Sequence, residues 1–297
     1  MRKLVTRVVL AAMVGIVAHA PMSGSSPMSL KPGTLRQVKA LVGASVNIHR
    51  LSYPLQVALE HAQRDNAGIA YNIPSNCETP TACVYGDTSA TQSVVLYGDS
   101  HAEMWLPALD RILSTDQLKL IFIGQRGCPV VLISTPNHLT ACASPRLTDL
   151  NVIDAIQPLA IILADRTSYR FGHAEWQAGM TSTLDALAQS NAKIAIMGDI
   201  QVFNMSVPLC LATNPTAVQN CSVANPNTQL PGQQSAEQAA ARKAGATYIN
   251  PTPWLCTTTR CSPVIGPDIP YWNASLLSVT YVKYLTKVVG AALKSTI

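Results

Sequence analysis

The run Ser93-Val94-Val95-Leu96-Tyr97-Gly98-Asp99-Ser100-His101-Ala102-Glu103 decides how this chain folds. An apolar stretch of strand length stops at Gly-Asp-Ser and passes directly into a helical pattern. A serine at such a turn projects its hydroxyl beyond the sheet. Its own N–H, at the start of a helix, then faces any oxyanion formed there. Gly98 is expected to let the chain bend before the turn. The plain alternative gives Ser100 a structural task, capping the helix that follows.

Outward from this run, four more apolar stretches recur at Leu118 to Ile123, Leu159 to Leu163, Ile194 to Met197 and Ala246 to Ile249. All are continuous rather than alternating, as expected for strands covered on both faces. Between and after them lie sets with helical spacing: Trp105, Leu109, Ile112 and Leu113; Leu147, Leu150, Ile153 and Ile156; Trp176, Met180, Leu184 and Leu187; Ala236 to Ala244, ended by Gly245; and Val282, Leu285, Val289 and Leu293. The alternation predicts an α/β fold, a three-layer αβα sandwich with a doubly wound, five-stranded parallel sheet. Ligands on such sheets bind beyond the carboxyl ends of the strands, where Ser100 falls.

With 297 residues and 48% hydrophobic content the chain can bury one sizeable core. Its first twenty residues combine a basic start (Arg2, Lys3, Arg7), an apolar run from Val8 to Val17 and an Ala18-His19-Ala20 ending, the pattern of an export signal. Pro21 disfavours cleavage at that site, so later cleavage and retention as an anchor are both open. The predicted organisation is residues 1–28 as export signal or anchor with its tether, 29–75 as a helical extension, and 76–297 as the main domain. Within the extension, Thr34 to Val46 and Pro54 to Arg64 read as short amphipathic helices. Ala212 to Ser235, dense in Asn, Gln, Thr and Pro, reads as a long surface loop. The formal charge is +5, and removing the three cations of the signal leaves about +2, which gives no electrostatic case for nucleic acid.

Eight cysteines in an exported chain point to disulfides. They fall into neighbouring couples, Cys77 with Cys83, Cys128 with Cys142, Cys210 with Cys221, and Cys256 with Cys261, each bracketing a polar or proline-containing segment. Sequential pairing is therefore expected among the 105 connectivities that eight cysteines allow. There is no Cys-x-x-Cys and no histidine cluster beside the couples, so no metal site and no cofactor is predicted.

Taken together, these features resemble the SGNH hydrolase superfamily, in particular the extracytoplasmic domain that actinobacteria append to membrane-bound acyltransferases of the type 3 family. The resemblance rests on Cys83-Val84-Tyr85-Gly86-Asp87, on Gly98-Asp99-Ser100-His101-Ala102 with Trp105 and Pro107-Ala108-Leu109, and on Gly127-Cys128-Pro129. It continues through Ile161-Ile162-Leu163-Ala164, Trp254-Leu255-Cys256, Cys261-Ser262-Pro263-Val264-Ile265-Gly266 and Tyr271-Trp272. It implies acyl-ester chemistry, with Ser100 at the nucleophile position and Gly127 at that of the oxyanion glycine. Asp99, His101 and Arg166 are then binding residues, although a surface ion pair with Asp165 competes for Arg166.

One departure is serious. Where the family carries Asp-x-x-His before its terminal helix, this chain has Asn273-Ala274-Ser275-Leu276. A serine hydroxyl is a poor nucleophile without a base to take its proton, so these degenerate positions predict impaired catalysis. His138, between Cys128 and Cys142, is the alternative base. His101 adjoins Ser100 but points about 100° away on the helix. His49, His61 and His173 have no sequence reason to reach the site, and Asp268 lies near Asn273 in the chain. The reading is an exported domain, periplasmic or extracellular, related to O-acyl transfer or ester hydrolysis. The expected partner is a cell-envelope glycan or acyl ester, with a membrane acyltransferase as the alternative.

Overall fold

Five parallel strands form the middle layer of the molecule, and their burial on both faces explains their unbroken apolar sequences. The computed structural model describes residues 31–133, 142–169, 171–225 and 231–297. Three helices come first, α1 (Leu35–Ser45), α2 (Tyr53–Ala62) and α3 (Ala67–Ala70), followed by strands β1 (Asn76–Cys77), β2 (Val84–Gly86) and β3 (Ser93–Gly98). After β3 come α4 (Ser100–Glu103), α5 (Leu106–Thr115), β4 (Lys119–Gln125), α6 (Ala143–Ile156), β5 (Ala160–Ala164), α7 (His173–Leu187) and β6 (Lys193–Met197). The chain ends with α8 (Val207–Thr213), β7 (Val223–Ala224), α9 (Pro231–Ala244), β8 (Thr247–Ile249), β9 (Arg260–Cys261), α10 (Val279–Tyr284) and α11 (Thr286–Leu293).

The parallel strands lie in the order β4-β3-β5-β6-β8, with Val95 of β3 opposite Ile121 on one side and Ile161 on the other. The first strand thus sits between the second and third. That is the point where the winding reverses and a crevice opens at the strand ends. Ser100 stands directly above it. Two short antiparallel strands, β1 and β2, extend the sheet beyond the predicted five by pairing with β4. They are too short, and too polar in Asn76-Cys77, to carry a periodic signal.

Alternation along β3 divides the core. Val94 and Leu96 pack with α5, α10, α11 and the N-terminal helices, whereas Val95 and Tyr97 pack with α6, α7 and α9. Val38 and Val42 of α1 and Leu55 of α2 are buried in the first of these clusters, so the helical extension shares the core of the main domain. A capping box fixes the start of α1, with Thr34 accepting from the Gln37 backbone while the Gln37 side chain accepts from Thr34 N–H. On the same side, the fully buried Trp105 meets Trp254 edge-on at 6.0 Å.

Two sequence expectations are corrected here. Gly98 is required for close approach rather than for a bend: its φ is not positive, and a Cβ there would collide with the carbonyl oxygen of Ala164 on the neighbouring strand. The stretch from Ala212 to Ser235 is not one loop. It holds a 3₁₀ turn at Val218–Cys221 and β7, which pairs with β9, and α9 already begins at Pro231; residues 226–230 lie outside the described residues. The Cys210–Cys221 disulfide closes part of the stretch, as its sequence leads one to expect, and the pairing with β9 supplies order that composition did not show.

The four disulfides are the sequential ones, with Cα–Cα separations of 5.8 Å for Cys77–Cys83, 5.5 Å for Cys128–Cys142, 5.8 Å for Cys210–Cys221 and 4.2 Å for Cys256–Cys261. Bonds of this kind persist in oxidising compartments outside the cytosol. Among the described residues, no helix is long and apolar enough to cross a membrane.

Candidate active site

Asp99, not Ser100, caps the helix after β3. Its carboxylate accepts from His101 N–H at 2.8 Å, leaving Ser100 as the first helical residue. The structural alternative for Ser100 therefore falls away. Ser100 borders a cavity of about 440 Å³ whose walls come from three parts of the chain. Asn66, Ile69 and Ile73 approach from the α3 region, Glu103 and Arg126 from beside the strand ends, and Trp272 and Leu276 from the segment before α10.

Leu276, expected from the sequence to stand in place of the family's histidine, borders the same cavity as Ser100. Asn273 has a structural role instead, its Oδ1 accepting from Ser275 N–H and Leu276 N–H at 2.8 Å each. That Asx turn holds the loop in shape and leaves the amide with no imidazole to orient.

No imidazole among the described residues hydrogen-bonds to Ser100 Oγ. His101 is buried, and its Nδ1 pairs with Asp199 Oδ1 at 2.6 Å. His173 meets Ser235 on the surface at 3.2 Å, His61 borders a different cavity, and His49 is exposed. His138 lies outside the described residues. Asp268 borders the cavity that His61 lines, not that of Ser100.

Gly127 lies just past β4 with φ +79°, a left-handed conformation that suits glycine, and open space lies where a side chain would stand. Neither its N–H nor that of Ser100 has an acceptor among the described residues. The residues expected to bind ligand are placed differently. Asp99 and His101 are 0% and 1% exposed and committed to internal partners, so they support the site from beneath rather than contacting a ligand. Asp99 also accepts from Arg166 N–H at 3.3 Å and Tyr169 O–H at 3.1 Å, tying the β3 turn to the loop after β5. Arg166 does not pair with Asp165. Its Nε donates to Ser168 Oγ at 2.6 Å and its guanidinium lies over the Tyr169 ring, while the buried Asp165 accepts from Val130 N–H.

Several residues of the site carried no motif. Arg126 donates to both oxygens of Glu103, from Nε at 2.7 Å and from Nη2 at 3.0 Å, and places a bidentate pair at the rim beside Ser100. Glu103 lies three residues after Ser100, on the same helix face, and that spacing was the available signal. Asp199 follows β6 in Gly198-Asp199 and accepts from Thr167 N–H at 2.7 Å and Ile200 N–H at 2.7 Å besides meeting His101. Its position two residues past a parallel strand end was likewise readable.

The family model for the SGNH domain (fused to AT3 domains) matches residues 67–289. The chain belongs to this SGNH family. Among solved structures, this SGNH domain is similar to the periplasmic domain of a lipopolysaccharide acetyltransferase from Salmonella ser. Paratyphi A, with a TM-score of 0.55 and 13% identity over 88% of this chain and 95% of that one. A lower similarity, with a TM-score of 0.43 and 12% identity over 69% of this chain and 100% of that one, is to Est24, a carbohydrate acetylesterase from Sinorhizobium meliloti. No curated protein sequence matches the chain.

Several acids are buried in the SGNH domain, Asp99 next to Ser100 and others elsewhere in the core. Burial raises Asp99, Asp165 and Glu237 above the ordinary carboxyl range, and it pushes Asp149 and Asp268 up to about 7. Burial alone would pull His101 down, but the Asp199 carboxylate, its hydrogen bond and Asp99 together hold it above its usual value. The signs agree. Each raised acid binds a proton more readily folded than unfolded, so its contribution is complete below the unfolded pKa and is lost as pH climbs through the folded one, up to about 7 for Asp149 and Asp268. The His101 contribution is likewise complete at low pH and lost as pH passes its raised value. Thermal unfolding is therefore expected to occur several degrees higher at about pH 5.5 than at about pH 8. A flat or inverted profile would contradict the directions assigned to these buried groups.

Proposed function

We propose that this SGNH domain is exported and binds O-acylated glycans of the cell envelope, alone or beside a membrane acyltransferase, with ester turnover impaired. One observation carries the reading: Leu276, which we align with the family's histidine, shares its cavity with Ser100. Loss of the histidine in a triad hydrolase costs about 10⁶ in rate, or roughly 8 kcal/mol of barrier. Oxyanion donors and binding retain only about 10³ to 10⁴ over water.

The remaining walls suit a sugar ester. Trp272 and Ile69 offer an aromatic and an aliphatic surface, while the Glu103–Arg126 pair presents donors and acceptors side by side, as vicinal hydroxyls require. On a chromogenic acetyl ester, the purified protein and its Ser100→Ala variant are expected to give indistinguishable low rates. A rate that falls at least about tenfold in the variant would overturn the reading.

A second reading has one observation in its favour. The Cys128–Cys142 disulfide, directly after Gly127, ties both ends of the stretch that carries His138 to the neighbourhood of Gly127. If His138 is the base of an active O-acyl esterase or transferase, His138→Ala abolishes the Ser100-dependent rate.

A further inference from the structure

A second cavity, of about 250 Å³, opens between α2 and the segment leading to α10. Its wall contains an unexplained group. Asp268 is 5% exposed, and its Oδ2 has no hydrogen-bond partner. Asp65 stands close by, its carboxylate accepting from Thr280 N–H at 3.3 and 3.2 Å. Among the described residues no cationic side chain comes within ion-pair distance of either acid. Native proteins rarely leave a buried carboxyl oxygen unpartnered, because desolvation then goes uncompensated.

The rest of the wall narrows what would supply the partner. Ala58, Ala62 and Ile269 give an apolar surface, while His61 and Arg64 are exposed and lie at the rim. Two neighbouring carboxyls repel an anion. No group of three metal-ligating side chains exists among the described residues, and the cavity is far larger than a bare ion needs. Above about pH 7, where Asp268 ionises, a neutral hydroxyl would donate a hydrogen bond but leave the charge uncompensated. We propose that this cavity binds a small molecule carrying a protonated primary amine, with the ammonium against Asp268 and Asp65 and the carbon skeleton along Ala58, Ala62 and Ile269.

The site is separate from that of Ser100, and the proposal does not rest on the glycan reading. Ethanolamine and ethylene glycol are the probes, since they match in size and differ in charge. In the 297-residue chain at about pH 8, where Asp268 is ionised and ethanolamine still protonated, ethanolamine is expected to shift the amide resonances of Asp65, Asp268 and Thr280 saturably, and ethylene glycol to leave them in place. Asp268→Asn, close to isosteric, is expected to weaken ethanolamine binding at least about tenfold, whereas Ser100→Ala leaves it unchanged. The comparison of the two probes on the unmodified protein stands even where a variant folds poorly. Equal responses to both probes, no saturable response up to about 0.1 M, or full binding by Asp268→Asn would each overturn the proposal.

Discussion

Changing Asn273 to Asp and Leu276 to His together is expected to raise Ser100-dependent ester turnover by at least about 100-fold, a small part of the 10⁶ or so that a triad base supplies. The backbone is prepared for the change. Asn273 Oδ1 already accepts from the Ser275 and Leu276 N–H groups, and a carboxylate accepts the same two bonds without disturbing the turn. Leu276 already borders the cavity that Ser100 lines, and an imidazole is of similar bulk. Leu276→His alone is expected to recover less, because nothing fixes its tautomer or stabilises the imidazolium. The measurement is kcat/KM on a chromogenic acetyl ester, with Ser100→Ala added to the double variant as the control. A well-folded double variant with no Ser100-dependent gain would show that the defect lies elsewhere in the site.

The second large effect concerns stability. Asp199→Ala is expected to cost about 3 to 5 kcal/mol, because it strands the buried His101 and removes the acceptor for Thr167 and Ile200 N–H. The pair links the turn after β3 to the loop after β6, so its loss loosens the floor beneath Ser100. Urea unfolding followed by circular dichroism reads the change directly. Asp199→Asn keeps an acceptor for one of the two backbone donors while removing the charge, and a smaller cost is expected. A loss below about 1 kcal/mol for the alanine variant would mean that the pair is energetically neutral.

Much of this architecture is legible in the sequence because the parallel strands are buried on both faces. Val94 to Tyr97 and Ile161 to Leu163 read as strands for the same reason that they form the central layer. The cysteine couples are legible because each closes a short local segment. What stays hidden depends on contacts between distant parts of the chain. Residues 66–73 approach Ser100 only once the helical extension has packed into the core, and nothing local marks Asn66 or Ile73 as cavity walls. His101 and Asp99 look like site residues because they flank the serine, yet folding turns both inward, toward Asp199 and toward Arg166 and Tyr169. Gly98 is flagged correctly for the wrong reason: close contact between strands cannot be seen in one segment alone.

The most direct test of the account is whether Ser100 behaves as an activated nucleophile. A fluorophosphonate labels serines whose proton has somewhere to go, and intact-mass measurement counts the adducts. The expected result is no adduct at Ser100 on the unmodified protein, with labelling appearing in the Asn273→Asp, Leu276→His variant. Rapid stoichiometric labelling of Ser100 in the unmodified chain, lost on His138→Ala, would contradict the account and establish a working base.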